Sequence, residues 1–208
     1  TTETAKDGST VKTVERADGT TEITVKRADG LTASIRENRN GSRADVRIPS
    51  KAVQDSQGSS VPLPIPALPG KNADVTIHTG SARPVQVEIP AEGDPGTTVA
   101  YLVTSDGSET LIRTAVLDGG RITLSVPNGA TVRLRDNRKD FLDIRGHWAE
   151  EAISFAAARE LFSGRTPTSF APDIPMSRAM LMTVLARLDG ANAAGASAYE
   201  TASAWAVT

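Results

Sequence analysis

The sequence contains no cysteine. That excludes disulfides, thiolate catalysis and Cys-ligated metals, and two histidines leave little for other metal chemistry. Aromatic residues are only 4% of the 208, so platforms for stacked bases or long sugar chains are few. No apolar run reaches the roughly 18 residues that a membrane-spanning helix needs. The formal net charge is -2, with Lys and Arg scattered among the acids, whereas a nucleic-acid binder carries a basic stripe. There is no initiator Met and no signal peptide, and the chain opens inside a repeat. It therefore reads as a piece whose targeting signal lay upstream. At this length it makes one large domain or two smaller ones, each able to bury a core.

The repeat occupies the first fifty residues. Gly8, Gly19, Gly30 and Gly41 recur every eleven residues, preceded by Asp7, Asp18, Asp29 and Asn40. Such pairs suit two-residue type I′ turns, whose central residues both need positive φ. Between them lie segments such as STVKTVER (9–16) and TTEITVKR (20–27). The expected product is an up-and-down β-meander over residues 1–43. Its Ile23, Val25, Leu31, Ala33 and Ile35 offer at most one thin apolar face, which suits a solvated spacer better than a ligand platform.

Residues 44–137 read as a small antiparallel β-sandwich. SKAVQDSQG (50–58) begins with a capping-type Ser and ends in Gly, as a two-turn helix does. VPLPIPALP (61–69) is too rich in Pro for a helix or a central strand, and reads as an edge segment with Val61, Leu63, Ile65 and Leu68 against something apolar. Five strand-like runs follow, at 73–80, 84–91, 97–107, 109–120 and 121–137, the last dividing at Asn128-Gly129. Val85, Val87 and Ile89, like Ile122, Leu124 and Val126, alternate at period two. His78 is an isolated strand histidine. The acids Glu88, Glu92, Asp94, Asp106 and Glu109 show no calcium-loop spacing, and no phosphate loop, nucleophile elbow or His-based triad is visible. Nothing in this region supports catalysis, a metal or a cofactor.

FLDIRGHWAEEAISFAAARELFSG (141–164) changes the period. Trp148, Ala152, Phe155 and Ala156 fall on one helical face, widened by Ile153, Ala157 and Leu161, with Glu150 and Glu151 in the first turn and Gly164 as the stop. FAPDIPMSRAMLMTVLARLDG (170–190) supplies a second helix. Ser177 is its N-cap, Met180, Leu181, Val184, Leu185 and Leu188 form its apolar row, and Gly190 its stop. Setting numbers fifty apart, Glu150, Ala152, Phe155 and Ala156 match Glu200, Ala202, Trp205 and Ala206, so 191–208 reads as the truncated start of a second copy.

The order aromatic, acid, His-Trp, amphipathic helix, Gly, F-x-P and capped second helix resembles an S-layer homology repeat, here over residues 138–190. The resemblance implies a Gram-positive secreted protein, located outside the cell in the wall or S-layer. Its ligand is expected to be an anionic, often pyruvylated wall polysaccharide, with other surface proteins as further partners. The family's second helix commonly begins Thr-Arg-Ala-Glu, whereas Ser177, Arg178, Ala179 and Met180 stand here, so the capping box loses its carboxylate. The resemblance points to Arg178, Asp143 and Trp148 as carbohydrate-binding residues, because a guanidinium pairs with a carboxylate through two hydrogen bonds. Each has a structural alternative: a salt bridge for Arg178, a loop or cap bond for Asp143 and the core for Trp148, while His147 reads as a helix-start contact. The leading expectation is a non-enzymatic wall-anchored protein. The rivals are an adhesin-like sandwich binding an extracellular ligand and the anchor of a wall hydrolase whose catalytic domain lies upstream.

Overall fold

The computed structural model describes residues 1–6, 8–69, 73–104, 106–191 and 198–207. It forms two compact units, Thr1–Asp136 and Asn137–Thr208. The described residues are mostly β, in two sheets, with a few helices. The first unit holds β1 (Thr2–Thr4), β2 (Thr10–Glu15), β3 (Thr21–Lys26), β4 (Thr32–Asn38) and β5 (Gly41–Ile48), then α1 (Ser50–Asp55). It continues with β6 (Val61–Pro62), β7 (Ala73–Thr79), β8 (Val85–Pro90), β9 (Thr98–Val103) and β10 (Glu109–Ile112). β11 (Val116–Asp118), β12 (Arg121–Val126) and β13 (Ala130–Asp136) complete it.

One sheet has nine strands in the order β1-β2-β3-β4-β5-β7-β13-β9-β10, and the other has four, β11-β12-β8-β6. The expected boundary at residues 43 and 44 falls inside β5. β5 pairs in parallel with β7, from Ser42 opposite Ala73 to Ile48 opposite Thr79, so the opening strands extend the larger sheet. β6 and β8 are also parallel, which makes both sheets mixed rather than wholly antiparallel. The parallel pairs arise because the links from β5 to β7 and from β6 to β8 are long crossovers, not hairpins. The run expected as one strand at 109–120 turns at Ala115, whose N–H donates to the Ile112 carbonyl, and passes from the large sheet to the small one.

The turns differ in type from the expected I′ pairs. Arg16 N–H donates to Thr20 O, Gly19 N–H to Arg16 O, and of the central residues only Gly19 has positive φ, at 80°. That is a three-residue loop closed by a left-handed glycine. The loop at Arg27–Leu31 repeats it with Gly30. The aspartates serve through their side chains: Asp18 Oδ1 accepts from Thr20 N–H at 2.9 Å and Asp29 Oδ1 from Leu31 N–H at 3.1 Å. At the third reversal Gly41 is already in β5, opposite Asn38, so Arg39 and Asn40 make the turn. Asp7 lies outside the described residues.

Buried side chains of both sheets merge into one core, with Ala33, Ile35, Val46, Ile77 and Val132 from the larger and Val87, Ile89, Ile122 and Leu124 from the smaller. The inner face of β4 and β5 is thus fully covered, not thin. Val61, Leu63, Ile65 and Leu68 of the Pro-rich segment join the same core, at the edge strand β6. Ser50 is the first residue of α1 and not its cap; its hydroxyl instead donates to Gly80 O at 2.8 Å.

The second unit contains a 3-10 turn at Leu142–Ile144, then α2 (Glu150–Ala158), α3 (Arg178–Leu188) and α4 (Ala198–Trp205). α2 ends earlier than Gly164. Glu160, at φ 55°, is the left-handed residue, with Glu160 N–H donating to Ala157 O and Leu161 N–H to Ala156 O. α3 closes the same way on Gly190, and Ser177 caps its start by accepting from Met180 N–H at 3.2 Å. The small core is Phe141, Ile144, Ile153 and Ala157, with Ala149 and Phe170 against it. Trp148 and Ala152, expected on the buried face of α2, are exposed. Met180, Leu181, Leu185 and Leu188 of α3 are also exposed, contrary to the expected buried row. α3 buries Ala186 instead, against Ala202 of α4, because small residues at that crossing let the two helices approach closely. Within the expected second copy, residues 192–197 and Thr208 lie outside the described residues.

Candidate functional site

The helical unit is built around a carboxylate. Asp143, in the 3-10 turn, accepts from Ser169 Oγ at 2.8 Å, Phe170 N–H at 2.9 Å and Ala171 N–H at 2.8 Å. The bonds from the Phe170 and Ala171 amides, with that from Ser169, hold its pKa down to about 2. Leu142 N–H donates to Thr168 O at 2.9 Å, tying the same turn to the same loop. The loop then carries Phe170 onto Phe141, ring centres 5.5 Å apart, and Phe162 onto Phe170 at 5.9 Å. Asp143 thus acts as the loop acceptor that was its structural alternative.

Around the start of α2, His147 Nδ1 accepts from Ala149 N–H at 3.2 Å, and Glu150 Oε2 accepts from Gly146 N–H at 2.7 Å. The first satisfies the amide of the N-cap residue, and the second ties the preceding turn to the first helical residue. His147 Nε2 lies 3.5 Å from Asp173 Oδ1, across to the loop before α3. Trp148 is 91% exposed, and its ring lies beside that of His147, at 5.5 Å between centres. An indole left in water beside an imidazole contributes nothing to the core, so its place in the core is excluded.

Arg178 is the first residue of α3, immediately after its cap. It is exposed, and among the described residues its guanidinium makes no hydrogen bond or ion pair. A helix start also presents open amides and the positive end of the dipole, so the position favours anions. No hydrogen bond, ion pair or ring contact joins Arg178, Asp143 and Trp148 to one another among the described residues.

Residues 140–179 match the family model of the S-layer homology domain. The chain carries an S-layer homology domain. A domain of this family implies association with the cell surface or S-layer, and no helix among the described residues is long and apolar enough to cross a membrane. No curated protein matches the chain. A solved structure, the catalytic domain of GH30 xylanase C from Talaromyces cellulolyticus, is 15% identical over 61% of this chain and 20% of its own length. Its TM-score is 0.20, too low for any argument about fold or activity.

Three residues of the S-layer homology domain and its continuation escaped the sequence reading. Ser169 completes the Asp143 cluster. Arg159, at the end of α2, is 1% exposed; its guanidinium lies 3.5 Å from the Phe155 ring centre and donates to the Phe155 carbonyl. Arg187 of α3 donates to the Leu161 carbonyl at 2.9 Å. A terminal arginine on an amphipathic helix looks like a solvated residue in sequence. Only its spacing of four from Phe155 hinted at the stacking.

Proposed function

We propose that the protein works at the bacterial cell surface without catalysis, held there by its S-layer homology domain, which binds an anionic wall polysaccharide non-covalently. A pyruvylated polymer is the expected partner, because its carboxylates suit a guanidinium. The observation that carries this reading is Arg178: exposed, unpartnered among the described residues, and set at the N-terminus of α3 inside the matched family segment. Its guanidinium is open to a ligand's carboxylate. Trp148, exposed beside His147, supplies an apolar face for a sugar ring. Asp143 contributes by fixing the loop and not by touching glycan, since its oxygens are engaged. The β unit serves as the part carried outward.

The test is sedimentation with purified wall polysaccharide, using the chain with further S-layer homology repeats appended so that the face of α3 is covered. Arg178→Ala is expected to weaken binding by roughly 1.5–3 kcal/mol, the worth of a charge-assisted hydrogen bond, with unfolding unchanged. Equal binding by Arg178→Ala removes the role given to this residue, and failure of the parent chain to sediment removes the anchoring function.

A further inference from the structure

Far along the sequence from Arg178, the outer face of the nine-stranded sheet holds a second concentration of arginine. In register, Glu22 of β3 lies opposite Arg36 of β4, Arg36 opposite Arg43 of β5, Arg43 opposite Asp74 of β7, and Asp74 opposite Arg133 of β13. Beside this row the face hollows into a concavity of about 490 Å³, whose lining includes Arg36, Arg43, Arg133 and Arg135, the amides Asn38 and Asn40, and one carboxylate, Asp74. That is the size of a small-ligand site.

The ion pairs are unevenly shared. Arg133 holds Asp74 through two bonds of 2.7 Å, and also donates to Glu109. Arg135 is bound to both oxygens of Glu109 at 2.7 Å. These two are satisfied. Arg36 uses Nε and Nη2 on one oxygen of Glu22, whose other oxygen is taken by Arg16. Arg43 is left with a 3.9 Å contact to an Asp74 already engaged twice, and its side chain is 78% exposed. It makes no hydrogen bond among the described residues. Like charges directly opposite in a sheet destabilise the pairing, and here Glu22 and the more distant Asp74 offset the Arg36–Arg43 repulsion only in part. Asn38 Oδ1 accepts from Asn40 N–H at 2.8 Å, which leaves the Asn38 amide group to donate. With the Asp74 carboxylate held by Arg133, the open groups of the concavity are mainly donors.

We propose that this concavity is a binding site for a carboxylate-bearing sugar, with the acid seated between Arg36 and Arg43 and neighbouring hydroxyls on the Asn38 and Asn40 side chains. A planar carboxylate matches the guanidinium fork, and two arginines bracket it. A nucleic-acid strand fits poorly, because Glu22, Asp74 and Glu109 interrupt the positive charge that a run of phosphates requires. The site is separate from the S-layer homology domain and stands whether or not Arg178 binds wall glycan.

The experiment is calorimetric titration of the full 208-residue chain with trigalacturonic acid and with its methyl ester. The acid is expected to bind and the ester not to. Arg43→Gln and Arg36→Gln should each weaken the acid by about tenfold or more, the loss of one charge-assisted contact. Lys12→Gln, elsewhere on the same sheet, should leave it unchanged. Arg43→Gln should fold about as stably as the parent, since the exposed 3.9 Å contact it loses and the like-charge pair it relieves are both weak. Equal binding of the ester, unchanged affinity in both arginine variants, or tighter binding of inorganic phosphate or an oligonucleotide would overturn the proposal.

Discussion

Asp143 shows how much a single carboxylate organises in the helical unit. With a folded pKa of about 2, below the ordinary 3.8, it is held in the charged form by the 169–171 loop. A depressed carboxylate adds stability that is present above the unfolded pKa and fades as pH falls through the folded one. Asp143→Asn should therefore lower the melting temperature of the helical unit at neutral pH, and the gap from the parent should close between about pH 4 and pH 2. An equal gap at pH 2 would show that the charge is not what the loop reads. Gly164 makes a different demand. It has φ 71°, and a Cβ there would stand 2.5 Å from Phe141 Cε1. Gly146 has a similar φ of 72° but open space around it. Gly146→Ala should cost about 1–2 kcal/mol, the left-handed strain alone. Gly164→Ala should cost about 1–3 kcal/mol more, because Phe141 is in the core and must move. Thermal unfolding of the pair separates the two terms.

At the level of elements, the helix ends carry the clearest lesson. α3 was legible because Ser177 and Gly190 are the residue types that caps demand. α2 looks longer in the sequence than it is because its terminating residue is Glu160, a type with no preference for positive φ, while the more suggestive Gly164 answers to Phe141 instead. Replacing Glu160 with Gly should stabilise the helical unit by on the order of 1 kcal/mol, less the entropy that Gly adds to the unfolded chain. A fall in stability would mean the weak 4.0 Å contact with Lys139 matters more than the backbone. In the turns, the Asp-Gly pairs marked the right places but not the geometry, since Asp18 and Asp29 act through side-chain bonds to the second amide onward. The family order marks Asp143 and Arg178 as candidates. That Asp143 is consumed by its loop, and that Trp148 stands in water, depends on three-dimensional closure that periodicity does not encode.

At the scale of the whole molecule, the parallel pairing of β5 with β7 was invisible in sequence. Hairpin signals report neighbours along the chain, and this pairing joins strands separated by α1 and the Pro-rich segment. Its energetic consequence can be measured. Ile35 of β4 is fully buried in the core shared by both sheets, so Ile35→Ala should cost about 2–5 kcal/mol. It should lower the transition of the entire β unit, followed by far-UV circular dichroism. Both tryptophans, Trp148 and Trp205, belong to the helical unit, so indole fluorescence follows that unit alone. Its transition should stay where it was. A fluorescence midpoint that moves with Ile35→Ala would show that the units do not unfold independently.

The sheet order also fixes how the β unit bears tension. Between β1 and β13 lie six strand spacings, about 30 Å measured across the strands, so a pull on Thr1 and Asp136 runs perpendicular to the ladders. The hydrogen bonds are then loaded one after another, as in a zipper, instead of all together in shear. β1 and β2 bury no side chain and yield first, lengthening the chain in small steps, while β4 and β5, rooted in the core, hold. Under drag the unit would pay out slack from β1 and β2 and spare its interior.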